Sequence, residues 1–280
     1  MQQKESFLDI INEHLNSENT FLPVCDKSIL CIQEEISKKK EPDLRVIEEL
    51  IGRDPSLTAQ VLRSANSAFY KGLTEVLTIR DALIRLGTGE ISNIVKLLML
   101  HKNFSSDDLF SRKVIDQLRK HSTGCAIGAQ WLARQCHFDN LSDEAFIGGL
   151  LHDVGKLLLI AVAENLYQSD GRGLKPSNML IDEVMENFHA EYGYLLLKNW
   201  NLPEKYCKIA RKHHSEEIDP NDTLTTIIRL VNKACKKLGI GLSEDPSIVL
   251  AATPEANLLG LSEVFLAKLE IKLEDSLIMT

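Results

Sequence analysis

The chain has 280 residues, 44% hydrophobic and 26% charged, with a formal net charge of -8. This is an ordinary globular mix with enough length for one large or two small domains and a sizeable core. The acidic balance argues against broad contact with nucleic acid or anionic lipid; no uninterrupted apolar run reaches the ~18 residues that span a bilayer, and the first residues, Met1 to Phe7, open no apolar leader, so a cytoplasmic protein is expected.

Helical periodicity runs along the chain, without strand alternation, hairpin dipeptides or internal repeats. Residues 4–15 read as a short amphipathic segment, and Leu22-Pro23 breaks the chain. Residues 26–39 read as a helix ending in Lys38-Lys39-Lys40, a basic run suited to a helix C-terminus. Asp43 caps a helix through Ile51. Asp54-Pro55 opens the next, because Asp accepts from orphan amides and Pro already has helical φ. That helix carries Leu57, Val61, Ala65 and Ala68 on one stripe, and Asn66 and Ser67 are placed to bond backbone in the following turn. Thr78 to Asp81 is a capping signal for Ile79–Leu86, which Gly87 stops, and a long apolar helix follows at 90–101. The last two segments mimic a helix-turn-helix, but the second carries only Lys96 as a basic residue, which argues against DNA binding.

Polar residues 102–109 read as a linker, so the expected division is an N-terminal helical lobe at 1–104 and a helical bundle with a C-terminal extension at 105–280. Within the second part, helices are expected at 110–136, 142–163, 178–200, 203–214, 222–238 and 261–271, with a loop at 169–177. The amphipathic run Leu258–Leu273 suits docking on the bundle or on a second subunit. The sequence does not choose, and oligomeric state stays open. The fold class is all-α, with the N-terminal lobe packed on the bundle.

The chemistry concentrates around Leu-Leu-His152-Asp153-Val-Gly-Lys156. A His-Asp pair inside an apolar helix needs a partner, a metal or a shared proton. His121, His189, His213 and His214 also fall on inward-facing helical positions, which makes five of the eight histidines candidates for one pocket. His121 shares a face with Leu118, Cys125 and Leu132; His189 shares one with Tyr192, Gly193, Leu196 and Trp200. Gly148, Gly149 and Gly155 flank the His-Asp pair, and each is unfavourable in a helix by ~1 kcal/mol relative to Ala. They leave room for another helix or a ligand. Imidazole with carboxylate suits Fe, Mn, Co, Ni or Zn, and such an ion would activate water and orient a phosphate. The alternative is that the histidines cap carbonyls and bond acids with no metal; both readings stay open. Lys156 is a phosphate contact or a solvated or salt-bridged lysine. Asn232 lies at the edge of the stripe Leu224, Ile228, Val231, Cys235 and Leu238. The six cysteines form no C-x-x-C pair and read as free thiols, mostly buried, rather than a zinc or redox site.

Several of these blocks occur in an order that resembles the HDOD family, signalling modules related to the HD phosphohydrolases. The resemblance runs from about residue 22 to 214. It includes Leu22-Pro23, Ile51-x-x-Asp54-Pro55-x-Leu57-Thr58-x-x-x-Leu62, Ala65-Asn66-Ser67-Ala68 and Ile79-x-x-Ala82-x-x-x-Leu86-Gly87. It continues through Gly148-Gly149-Leu-Leu-His152-Asp153-Val-Gly155-Lys156, His189-Ala-Glu-Tyr-Gly193 and Trp200-x-Leu-Pro203 to His213-His214. The resemblance implies an N-terminal helical lobe on an HD-like bundle, and a bacterial signal-transduction role without established catalysis. HD enzymes bind metal through a His, a His-Asp pair and a late Asp. His121, His152 and Asp153 match the first three, and the late position falls on Asn232, a weaker ligand. The related HD-GYP enzymes cleave cyclic di-GMP, and His189, His213 and His214 resemble their additional histidines. The Gly-Tyr-Pro signature is absent after His214, and Gln117 stands where those enzymes place an acid.

The expected function is therefore a non-catalytic module that binds a signalling protein partner, with a pocket for a divalent transition metal (Fe, Mn, Ni or Zn) or a small ligand. The alternative is a metal-dependent phosphohydrolase or cyclic-dinucleotide phosphodiesterase. In that case His121, His152, Asp153, His189, His213 and His214 hold the metal, and Asp153 and Lys156 serve the reaction. Nucleic acid and membrane are not expected partners.

Overall fold

The computed structural model describes residues 32, 35–36, 42–52, 55–66, 70, 76–103, 108–169, 177–199 and 202–277. Among the described residues every regular element is a helix. The expected segment at 4–15, the break at 22–23, most of the helix at 26–39, the Asp54 cap, Ser67, Ala68, residues 104–107 of the linker, 170–176 of the loop and Trp200 lie outside them. The chain divides into two compact units, one within residues 23–105 and one within 106–278.

The first unit contains α1 (Leu44–Gly52), α2 (Pro55–Ala65) and α3 (Ile79–Asn103). Asp43 starts α1 by accepting the Arg45 amide at 2.9 Å, and Thr78 starts α3 by accepting the Asp81 amide at 3.1 Å. Ile47, Ile51, Leu57, Val61, Ala82, Leu83, Ile91 and Val95 form its core. Asn66 joins two parts of this unit, since its amide donates to Val76 O and accepts from Val76 N, both at 2.8 Å. The two helices expected at 79–86 and 90–101 form one kinked element, because Gly87 takes φ 75° and ψ 163° without ending the run. A positive φ of that size is readily available only to glycine.

The second unit holds α4 (Leu109–Gln135), α5 (Ser142–Leu151), α6 (Val154–Ser169), α7 (Asn178–Asn199), α8 (Glu204–Lys212), α9 (Thr223–Lys237), α10 (Pro254–Leu258) and α11 (Glu263–Leu277). Asp108 and Asp222 cap α4 and α9 by accepting the amides of Ser111 and Thr225. The single helix expected at 142–163 is broken: α5 stops at Leu151 and α6 restarts at Val154. The cause is local. The His152 ring bonds the Gly149 carbonyl at 2.8 Å, the acceptor that a continuous helix would give to the Asp153 amide. The His-Asp pair therefore sits in a turn between two helices, which lets both side chains face inward.

The glycines around the pair do what their positions suggest. A Cβ on Gly149 would lie 2.5 Å from the Cys125 carbonyl oxygen of α4, and one on Gly155 would lie 2.0 Å from the His189 carbonyl oxygen of α7. It is the backbones of neighbouring helices that fill the space. The C-terminal amphipathic run docks on its own bundle. Leu266, Leu269 and Leu273 are buried, Phe265 stacks on Trp131 with ring centroids 5.6 Å apart, and Gly128 admits Leu273 against α4. Residues 139–164 have the length and composition of a membrane-crossing helix, yet 78% of that apolar window is buried inside the bundle. An apolar core helix has the same composition.

Candidate metal and ligand site

The second unit brings His121 of α4, the His152-Asp153 turn, His189 of α7 and His213-His214 at the end of α8 together. His121, His152, Asp153, His189 and His213 are all buried, whereas His214 is exposed. Each buried ring is oriented by one rule. His121 Nδ1 lies 2.8 Å from Ile240 O, His152 Nδ1 2.8 Å from Gly149 O, His189 Nδ1 2.6 Å from Met185 O, and His213 Nδ1 2.8 Å from Ala210 O. A carbonyl oxygen only accepts, so each Nδ1 carries the proton and donates. In a neutral ring held this way Nε2 carries the lone pair, and all four Nε2 atoms face Asp153.

The carboxylate divides the rings into two groups. Its Oδ2 lies 3.4 Å from His121 Nε2 and 3.6 Å from His152 Nε2. Its Oδ1 lies 3.4 Å from His189 Nε2 and 3.2 Å from His213 Nε2. Within the groups, the Nε2 atoms of His121 and His152 are 3.2 Å apart, and those of His189 and His213 are 3.3 Å apart. Bare lone pairs at such distances repel unless a cation lies among them. Asp153 Oδ1 is buried without a hydrogen-bond donor, while Lys156 Nζ bonds Oδ2 at 2.7 Å.

Burial favours neutral rings at His121, His152 and His189. Burial pushes the imidazoles of His121 and His152 below their ordinary range, against the pull of Asp153, and takes His189 to about 4. Burial also pushes the Asp153 carboxyl up, but the Lys156 ammonium bonded to it holds it well below the usual carboxylate range. Neutral imidazoles around an ionised carboxylate are the ligand forms that a metal needs. The donor atoms of Asp153, His189, His213 and His214 all lie within 4.8 Å of one another, as do those of His121, Cys125 and His152.

A cavity of about 610 Å³ opens on this cluster. His121, Asp153, Lys156, His213, His214 and Asn232 line it, together with Arg229, Lys233, Lys236 and the single acid Glu186 beside Asp153. Ile240, Leu242, Ile248, Val249 and Pro254 add to its lining. Gln117, one turn before His121, is exposed.

Three features were not read from the sequence. Ile240, far along the chain, fixes the His121 tautomer. Cys125 Sγ lies 3.7 Å from His121 Nε2; its place on the His121 stripe was the available signal. Arg229 is buried in α9, bonds Glu255 at 2.8 Å, and also donates to the carbonyls of Lys212 and Ser215, on either side of His213-His214. An arginine set within an apolar helical run was its only signal. Glu255 is fully buried. Arg229→Ala leaves Glu255 with Lys233 alone and is expected to destabilise by roughly 3 kcal/mol in urea denaturation. Lys233→Ala, at the more exposed end of the network, should cost less than about 1 kcal/mol.

A helical bundle with a His-Asp turn at its centre and histidines converging from neighbouring helices defines the HD-like class. Within that class the chain belongs to the HDOD domain family, whose profile matches residues 22–216. It is 28% identical over 204 residues to an uncharacterized protein of Treponema pallidum (strain Nichols), covering 69% of this chain but only 38% of that protein. A Marinobacter aquaeolei VT8 structure, provisionally named a signal transduction protein, matches with TM-score 0.69 at 20% identity over 99% of this chain and 64% of that one. A Shewanella amazonensis SB2B structure, provisionally named a metal-dependent phosphohydrolase, matches with TM-score 0.67 at 16% identity over 98% of this chain and 100% of that one. At these identities the likeness is one of fold.

Proposed function

We propose that this chain is a cytoplasmic signal-transduction module that holds a divalent transition metal in its histidine pocket and reports the state of that pocket to a protein partner, without acting as an efficient hydrolase. The observation that carries the reading is the convergence of four imidazole Nε2 atoms on one buried carboxylate whose Oδ1 has no hydrogen-bond partner. Such a donor set fits a cation better than it fits empty space. His121, His152 and Asp153 would hold one ion; Asp153, His189, His213 and His214 would hold a second. Fe, Mn, Ni and Zn suit nitrogen and oxygen donors of this kind. An ion bound there supplies Lewis acidity toward a phosphate oxygen. The chain's own residues do the rest. The Nδ1 bonds to backbone carbonyls hold the rings in place, and Lys156, Lys233 and Lys236 give the cavity a cationic wall that suits a small anion. Asn232 is neutral at its edge. The provisional name of the Marinobacter protein supports the signalling part of the reading.

The second reading, a metal-dependent phosphohydrolase, is favoured by Lys156, which stands on the cavity wall beside Asp153. One experiment separates them. Protein expressed with supplemented metals is assayed for Fe, Mn, Ni and Zn and for hydrolysis of nucleotides and cyclic dinucleotides. Stoichiometric metal without turnover is the expected result. Turnover abolished by Asp153→Ala establishes the second reading, and near-zero metal removes both.

A further inference from the structure

The His121–His152 half of the cluster is short of negative charge. Its one acid, Asp153, is shared with the other half and already bonded to Lys156. Asn232, on the same cavity wall, is neutral. An ion seated on His121, His152 and Asp153 has room for a fourth donor, and the side chain grouped with His121 and His152 is Cys125. It lies one turn beyond His121 on α4, fully buried, with Sγ 3.7 Å from His121 Nε2.

The separations can be compared with those of a tetrahedral zinc-type site. Bonds of 2.0–2.1 Å to N or O and 2.3 Å to S give donor–donor edges of about 3.3 Å between N or O atoms and about 3.6 Å between N and S. The observed edges are 3.2 Å for His121–His152, 3.4 Å for His121–Asp153, 3.6 Å for His152–Asp153 and 3.7 Å for His121–Cys125. These four of the six edges fall within about 0.3 Å of those values, and the donor atoms of His121, Cys125 and His152 all lie within 4.8 Å of one another. Cys125 donates its S–H to Cys235 Sγ of α9 at 3.6 Å, a proton that metal binding displaces.

We propose that Cys125 is the fourth ligand of the His121, His152 and Asp153 pocket, making that half a thiolate-containing site for zinc-class ions, distinct from the all-nitrogen-and-oxygen half at His189, His213 and His214. This rests on the metal reading above and adds which donor completes one pocket and which ions it selects. On binding, the Cys125 S–H bond would break, sulfur would donate its electron pair to the metal, and the proton would be released to solvent. No redox change occurs. Softer sulfur ligation favours Zn²⁺ or Co²⁺ over Mn²⁺ at this half.

The test uses the full chain, reduced, stripped of metal and titrated with Co²⁺. The expected result is a near-ultraviolet thiolate-to-cobalt charge-transfer band that grows with cobalt bound. The band is lost in Cys125→Ser, persists in Cys235→Ser, and is displaced by Zn²⁺. Cobalt bound by the wild type without that band overturns the Cys125 assignment but leaves the metal reading standing. A band lost in Cys235→Ser and kept in Cys125→Ser also overturns it. No cobalt bound at all overturns both. The wild-type spectrum decides even if a variant fails to fold.

Discussion

Gly155→Ala is expected to destabilise the protein by about 3 kcal/mol, at the upper end for overpacking, and to lower the melting temperature by roughly 6–12 °C. The added Cβ would lie 2.0 Å from His189 O and 2.6 Å from Gly193 N. Both obstacles are backbone of α7, so no rotamer change relieves the clash, and α6 and α7 must separate. Separation also carries His189 away from Asp153, whose Oδ1 is now 3.4 Å from its Nε2. Metal binding at the His189 half should weaken together with stability. The facing glycine is an internal control. A Cβ on Gly193 would come no closer than 3.3 Å to Gly155 N, so Gly193→Ala should be distinctly milder. Calorimetry on both variants checks the pair, and equal melting temperatures would show that the interhelical approach is looser than described.

Asp153→Asn should separate stability with metal from stability without it. In the metal-free protein, Asp153 Oδ1 is a buried acceptor facing the Nε2 atoms of His189 and His213. An asparagine amide can donate to one of those nitrogens and so turns a repulsive contact into a hydrogen bond. Lys156 loses a charged partner but lies on the cavity wall, where solvent reaches it. The metal-free variant should therefore melt no lower than the wild type. With metal at 100 times its dissociation constant, the wild type gains about 2.7 kcal/mol, or roughly 5–10 °C, and the variant gains little. Melting curves with and without Zn²⁺ give the comparison. A wild type that shows no metal-dependent rise would contradict the account.

The helical character of the chain was legible because local signals and periodicity agree. Asp43 and Thr78 cap the helices that follow them as read, and the stripe residues Leu57, Val61 and Ala65 of α2 and Leu224, Ile228, Val231 and Cys235 of α9 are buried. The inward faces of His121, His152, His189 and His213 were legible for the same reason, since helical spacing places each among core residues. The break after Leu151 was not. It depends on a ring-to-carbonyl bond that competes with the helix's own hydrogen bond, and the apolar pattern on either side continues across it. The roles of Ile240, Glu255 and Arg229 were also hidden, because each acts on a residue distant in sequence.

Read alone, the sequence determined that the chain is helical, that a His-Asp pair stands among glycines, and that further imidazoles face inward; these follow from side-chain chemistry and a repeat of 3.6 residues, both local. Only the tertiary structure decided that α4, the 152–153 turn, α7 and α8 meet at one carboxylate. It also decided that the four buried rings turn Nδ1 to the backbone, and that Cys125 lies beside His121 Nε2. The physical reason is that ring orientation and donor separation depend on how close two helices come, and that distance is set by which backbone a missing Cβ admits.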